Sequence, residues 1–196
     1  MTRAQLDESR QALVRYYGWL RRYGLNDSHS GNASVRNGDR VWVTPSGCSG
    51  ATLAPRDLLG CRADEAPPAG ASLDAPLHLA VYAARPDAVA VLHSHGPHSI
   101  AMTLDGEDFV PMDFEGRYYF PVVPVLDIPH DLYTTRSPDE VAAALAIHRI
   151  CVVRGHGVYA AAESIDLAYK WTCSLESSAR IAWLARTAGI DTGRAG

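Results

Sequence analysis

The sequence predicts an α/β chain built on a mostly antiparallel sheet covered by helices. Three observations carry that prediction. Two short alternating runs in "SVRNGDRVWVTPSG" flank Asn37-Gly38, a dipeptide that strongly favours a hairpin. Apolar runs of strand length, "AVAVLHSH" and "ICVVRGHG", sit among stretches with helical spacing. Strands and helices also alternate without the strict βαβ order of a parallel sheet. At 196 residues and 47% hydrophobic, the chain suits one domain, residues 1–196, with a core large enough to need no staples.

The first helix starts at a capping box formed by Thr2 and Gln5. Leu6, Leu13, Tyr16, Tyr17 and Leu20 then recur at helical spacing until Gly24 ends the run. The hairpin follows. The connection "CRADEAPPAGAS" leads to Asp74, expected at the N-terminus of a second helix opened by Pro76 and continued by Leu77, Leu79, Ala80, Val81 and Tyr82. "AVAVLHSH" and "VVPVLDIP" read as buried strands. Ser137, Pro138 and Glu140 supply an N-cap, an N1 proline and an N3 glutamate for a third helix, "VAAALAIH". "ICVVRGHG" is a strand running into His156, and Ser164 caps a long last helix that ends near Gly189.

With 18 basic and 22 acidic residues and a net charge of −4, the chain lacks the basic stripe that nucleic acids and anionic membranes require. Its first 24 residues carry scattered charges and no continuous apolar segment, so neither a signal peptide nor a membrane span is expected and the cytoplasm is the expected compartment. Cys48, Cys61, Cys151 and Cys173 are far apart, form no C-x-x-C pair and read as reduced thiols.

The chemistry concentrates in "AVLHSHGPHS", which holds three of the eight histidines. Residues i and i+2 of a strand share a face, with Cα atoms ~7 Å apart, so His93 and His95 can converge on one ion. A catalytic zinc takes three protein ligands and keeps a position open. His156, set between Gly155 and Gly157, and Asp74 are the candidates for the remaining places. "HSHGPH" has Pro97 where the H-x-H-x-D-H run of metallo-β-lactamase-like hydrolases has aspartate, and a barrel amidohydrolase needs about 250 residues. His78 reads as a core hydrogen bonder, His98 as structural and His29 as a solvated loop residue.

Four ordered segments, "GLNDSHSGNASVR", "VWVTPSG", "SLDAPLHLAVYAARPDAVAVLHSH" and "VVRGHGVYAAAESIDLAYKWTCSLESSARI", together resemble the class II aldolase/adducin family over nearly the whole chain. The resemblance implies a three-layer αβα fold with a central, mostly antiparallel sheet. It implies a divalent ion, Zn²⁺ or else Mn²⁺, Fe²⁺ or Co²⁺, held by His93, His95 and His156, with Asp74, 19 positions before His93, binding or bordering it. Such an ion binds the oxygens of a hydroxy-carbonyl substrate and stabilises the enediolate left when a bond beside the carbonyl breaks.

The same resemblance assigns anion recognition to Asn32, Thr44, Ser46, Gly47 and Ser72. Leu73 stands where phosphate-binding relatives carry a second serine. Proton transfer falls to Asp74, Glu115, Tyr118 and Tyr119. The implied function is a metal-dependent lyase that breaks a C–C bond next to a carbonyl, by aldol cleavage or decarboxylation, in a small hydroxy-carbonyl or carboxylated substrate. A 4-epimerase is favoured by aspartate rather than glutamate at position 74, a dehydratase by Glu115, and an adducin-like scaffold is the non-catalytic alternative. A homotetramer with the site at a subunit boundary is also implied.

Overall fold

The computed structural model describes residues 3–190. Its elements in chain order are α1 (Arg3–Arg22), β1 (Asn32–Asn37), β2 (Arg40–Val43), β3 (Leu59–Arg62), α2 (Ala75–Ala84), β4 (Ala90–Ser94), α3 (Pro97–Ala101), α4 (Phe114–Tyr119), β5 (Val125–Leu126), α5 (Tyr133–Ile147), β6 (Ile150–Val153), β7 (Gly157–Ala162) and α6 (Ile165–Thr187). The seven strands form one sheet in the order β3-β2-β1-β4-β7-β6-β5. Every pairing is antiparallel except β5 with β6. The mostly antiparallel α/β architecture expected from the sequence is the one observed.

Strand alternation divides the core into two layers. Ala90 and Leu92 of β4, with Val158, Ala160 and Ala162 of β7, face a cluster that includes Leu13 and Leu20 of α1 and Trp171 and Leu175 of α6. Val91, Tyr159 and Ala161 face the opposite cluster, with Leu77 and Val81 of α2 and Val141 and Leu145 of α5. His93 belongs to this second face, because its ring stacks on Tyr159 at 4.1 Å and 3°.

Several boundaries differ from expectation for identifiable reasons. In the hairpin Asn37 pairs with Arg40, so the turn residues are Gly38-Asp39, with Gly38 at φ +66°. The third helix begins at Tyr133, four residues before Ser137, and encloses Pro138. A proline's φ is already helical, and what it forfeits there is one bond to the Thr134 carbonyl. The early start buries Tyr133, whose hydroxyl lies 2.7 Å from Asp74 Oδ1, a tertiary gain that no local signal announces. β7 is alanine-rich and β3 spans a glycine, which hides both from propensity. Asp74 and Ser164 stand at the helix starts as expected, and the Ser164 hydroxyl accepts from Leu167 N–H. The capping box at Thr2 and Gln5 lies outside the described residues.

Candidate metal centre

Three imidazoles meet at the ends of β4 and β6. His93 is the penultimate residue of the fully buried β4, His95 is the first residue past its end, and His156 sits in the turn between β6 and β7. His93 Nε2 lies 2.9 Å from His95 Nε2 and 3.0 Å from His156 Nε2. Ligand atoms of the three residues all fall within 4.8 Å of one another. Gly157 makes this approach possible, since a Cβ there would stand 2.6 Å from Ser94 O and 2.7 Å from both His93 Cε1 and His95 Cδ2. Gly31, at φ +68°, plays the same part on the other side, where a Cβ would meet His93 O at 2.6 Å.

The protonation pattern suits a cation. His93 Nδ1 lies 3.1 Å from the Val158 carbonyl, an acceptor only, so the ring proton is on Nδ1 and the Nε2 lone pair faces the cluster. Burial pushes the His93 pKa well below its ordinary value, and burial also lowers those of His95 and His156. Neutral imidazoles are the form that binds metal. One Nε2 lone pair facing two further Nε2 atoms can accept a single proton, whereas one cation satisfies all three.

The surroundings hold the ligands in place. Asn26, buried in the loop between α1 and β1, accepts from the His95 backbone N–H through Oδ1 at 2.9 Å. The His156 ring stacks on Tyr133 at 4.6 Å and 10°. Asp74 leaves the N-terminus of α2 uncapped and turns its carboxylate toward the cluster, with Oδ2 3.9 Å from His93 Nε2. Asn32 donates to Oδ2 at 2.8 Å, Tyr159 OH lies 2.9 Å from Oδ2 and Tyr133 OH 2.7 Å from Oδ1. The two hydroxyls also touch each other, so two protons serve three contacts and Asp74 receives at least one of them.

Burial opposes charge on Asp74, but His93, the Asn32 amide and the Tyr133 hydroxyl outweigh it and hold the carboxyl at about 2. Because His93 is itself driven neutral, the hydrogen bonds are what keep the carboxylate ionised at neutral pH. Both tyrosine hydroxyls are pushed up, first by burial and then by the Asp74 charge.

The residues assigned to anion recognition adjoin this centre. A bridge between Pro45 and Ala71 joins the two segments, and Ser72 N–H donates to Thr44 O at 3.1 Å. Ser46 and Gly47 are exposed, whereas Thr44 Oγ1 accepts from Ala33 N–H and Ser72 Oγ from Asp74 N–H. Glu115, Tyr118 and Tyr119 are not brought to the histidines within one chain. They lie on α4, which packs on α6, across the sheet from the face that carries His93 and Asp74. Tyr119 O accepts from Arg149 Nη1 at the start of β6, the strand end remote from His156, and Tyr118 is 75% exposed. His78 is buried with Nδ1 2.7 Å from Ser34 Oγ, the core role expected of it.

Sequence reasoning missed Tyr133, Tyr159 and Asn26. Only Tyr159 had a usable signal, since pairing β4 with the run after His156 sets it opposite His93.

Residues 11–183 match the Class II Aldolase and Adducin N-terminal domain family. A 5-methylthioribulose-1-phosphate/5-deoxyribulose-1-phosphate aldolase of Rhodospirillum rubrum is 30% identical over 166 residues, 82% of this chain and 73% of that protein. A decarboxylase of Streptomyces niveus is 24% identical over 163 residues, 80% of this chain and 60% of that protein. The crystal structure of L-fuculose-1-phosphate aldolase from Thermus thermophilus superposes with a TM-score of 0.85 and 34% identity, covering 94% of this chain and 96% of that one. On the family match and the likeness to named aldolases in both sequence and fold, the chain belongs to the class II aldolase and adducin family, among its enzymes.

Proposed function

We propose that the protein is a divalent-metal-dependent lyase that breaks a C–C bond next to a carbonyl, by aldol cleavage or decarboxylation, in a small hydroxy-carbonyl or carboxylated substrate. The observation that carries this reading is the convergence of three Nε2 atoms with the His93 tautomer fixed by the Val158 carbonyl. An all-imidazole set suits Zn²⁺ best, and Mn²⁺, Fe²⁺ and Co²⁺ after it. His93, His95 and His156 would hold the ion, with Asp74 at its border. Bound there, it supplies Lewis-acid polarisation of a carbonyl oxygen.

Both reactions break the bond heterolytically. The electron pair delocalises toward the carbonyl, and the departing fragment is an aldehyde or CO₂. Relatives named as aldolases and as a decarboxylase support this common step. Asp74, with its oxygens already occupied, serves as a fixed negative charge and not as a mobile base. Asn32, Thr44, Ser46, Gly47 and Ser72 would border the anionic end of the substrate, with the exposed Ser46 and Gly47 free to contact it. Glu115, Tyr118 and Tyr119 would move protons only from a neighbouring copy, in a homotetramer with the site at the subunit boundary. We place the enzyme in the cytoplasm, consistent with the lack of a helix among the described residues that is long and apolar enough to cross a membrane.

Elemental analysis of the purified protein beside a His93→Ala/His95→Ala variant tests the reading. The expected result is about one divalent ion per wild-type chain, lost in the variant. Release of aldehyde or CO₂ from a substrate panel would follow the metal content. Wild type that is metal-free and cannot be reloaded with zinc, manganese or iron overturns the proposal.

A further inference from the structure

The C-terminal end of α1 and the loops near it frame a recess of about 400 Å³, lined by Gly18, Arg21 and Arg22 on the helix side and by Asn26, Asp27, Ser28 and Ala51 on the loop side. None of the residues assigned to the anionic end of the substrate, Asn32, Thr44, Ser46, Gly47 and Ser72, belongs to its lining. Backbone sets its frame where α1 meets the turn at Gly50. A Cβ on Gly18 would stand 3.1 Å from Gly50 O, and one on Gly50 would stand 3.1 Å from Tyr17 O.

Two donors on lining residues, Arg21 Nη1 and Asn26 Nδ2, are buried with no hydrogen-bond partner, and Asn26 as a whole is only 7% exposed. A fold that buries a donor without an acceptor gives up free energy that an acceptor would restore. The usual work of arginines at a helix end is already done by the main chain. Leu20 O accepts from Leu25 N–H at 2.8 Å and from Asn26 N–H at 3.2 Å, and Arg21 O accepts from Gly24 N–H at 3.2 Å. Arg22 is exposed beside the Tyr23 ring. Asp27 supplies the one carboxylate of the lining, and its Oδ1 accepts from His29 N–H and Ser30 N–H at 2.9 Å each. Two guanidiniums against one carboxylate leave the recess positive.

We propose that this recess is a second anion site, separate from the substrate site, for a small oxyanion of the phosphate class. Donors come to it from the helix and from the loop after it, an arrangement that suits the several oxygens of a phosphate, and guanidinium forks match those oxygens in pairs. The occupant lies against Asn26, whose Oδ1 holds the His95 backbone N–H, so the site backs onto one of the three imidazole-bearing residues. It stands apart from the metal-lyase reading, which can fail or hold without it.

Calorimetric titration of the purified full-length chain with inorganic phosphate, in chloride buffer at constant ionic strength, tests the site. Arg21→Met keeps an unbranched apolar stem on α1 and removes the guanidinium, and it should weaken phosphate binding about tenfold or more. Arg22→Met, at an exposed position, should weaken it several-fold. Ser46→Leu, in the turn assigned to the substrate, should leave this binding unchanged. A chain that binds no phosphate, binding that both arginine variants leave intact, or a loss that follows Ser46→Leu instead overturns the site. A fall in oligomer mass in either arginine variant assigns the arginines to a subunit contact and overturns it too. Should circular dichroism show Arg21→Met unfolded, Arg22→Met alone decides by the same criteria.

Discussion

The three imidazoles must be neutral to offer lone pairs, and the interior enforces that by withholding water. The same physics sets a pH limit on the fold. Burial lowers the His78 pKa to about 4 from an ordinary 6.5, so the unfolded chain takes up a proton first as pH falls, and stability is lost between about pH 6.5 and 4. Full expression of that shift is worth about 3 kcal/mol. Asp74 acts in the lower window. Its carboxyl is held below its ordinary 3.8 by the hydrogen bonds from Asn32 and Tyr133, so its contribution is complete above about pH 4 and is lost as pH falls through the lowered value. Urea unfolding in the presence of a chelator, which removes any cation competing for the same nitrogens, should show a declining midpoint from pH 6.5 downward. A midpoint constant between pH 7 and pH 4 would contradict this account. At this scale His93 and His95 were legible from strand spacing and Asp74 from a helix start, while His156 stood out by its flanking glycines and the family resemblance. Tyr133 and Tyr159 were not, since each meets Asp74 across 59 and 85 residues of chain.

At the scale of elements, two contacts on α6 decide how well the loop after β4 is held. Glu176 Oε1 accepts from His98 N–H at 3.0 Å and Oε2 from Ser99 N–H and Oγ at 2.9 and 2.7 Å, which ties the start of the five-residue α3 to α6. His98 Nδ1 completes the set at 2.7 Å, and this hydrogen bond explains the structural role expected of His98. Glu176→Ala strands donors of the buried Ser99 and should cost about 3 kcal/mol in unfolding free energy. Because α3 begins two residues after His95, the same change should also weaken zinc retention against a competing chelator. Ser164→Ala removes only the N-cap of α6 and should cost about 1 kcal/mol with zinc affinity unchanged. Comparing the two by thermal melting and chelator competition separates a contact that supports the centre from one that supports only its helix. Equal effects of both variants on zinc would refute the distinction. The long helix was legible from Ser164 and its apolar spacing, whereas α3 and α4, at five and six residues, are too short to show a period.

For the whole molecule, the proposed homotetramer would have exposed apolar residues to cover. Phe114 is 85% exposed and Tyr118 75%, both on α4, and Ile147 at the end of α5 is 83% exposed. Light scattering should give the mass of a tetramer, and Phe114→Asp/Tyr118→Asp should lower it, with the zinc content of each chain unchanged. A monomeric wild type would remove the route by which Glu115, Tyr118 and Tyr119 could reach a neighbour's centre. The sequence by itself determined the mixed α/β class, the hairpin, the capped helices and the pairing of His93 with His95, because each depends on spacings of a few residues along the chain, whereas His156 joined that pair through the family resemblance. Only the tertiary structure decided that Asp74 is saturated by Asn32, Tyr133 and Tyr159, and that α4 lies across the sheet from the cluster. It also decided that Tyr159 stacks on His93 and Tyr133 on His156. Those are facts of strand order and layer, and two residues far apart in sequence carry no local record of which face of a sheet they will share.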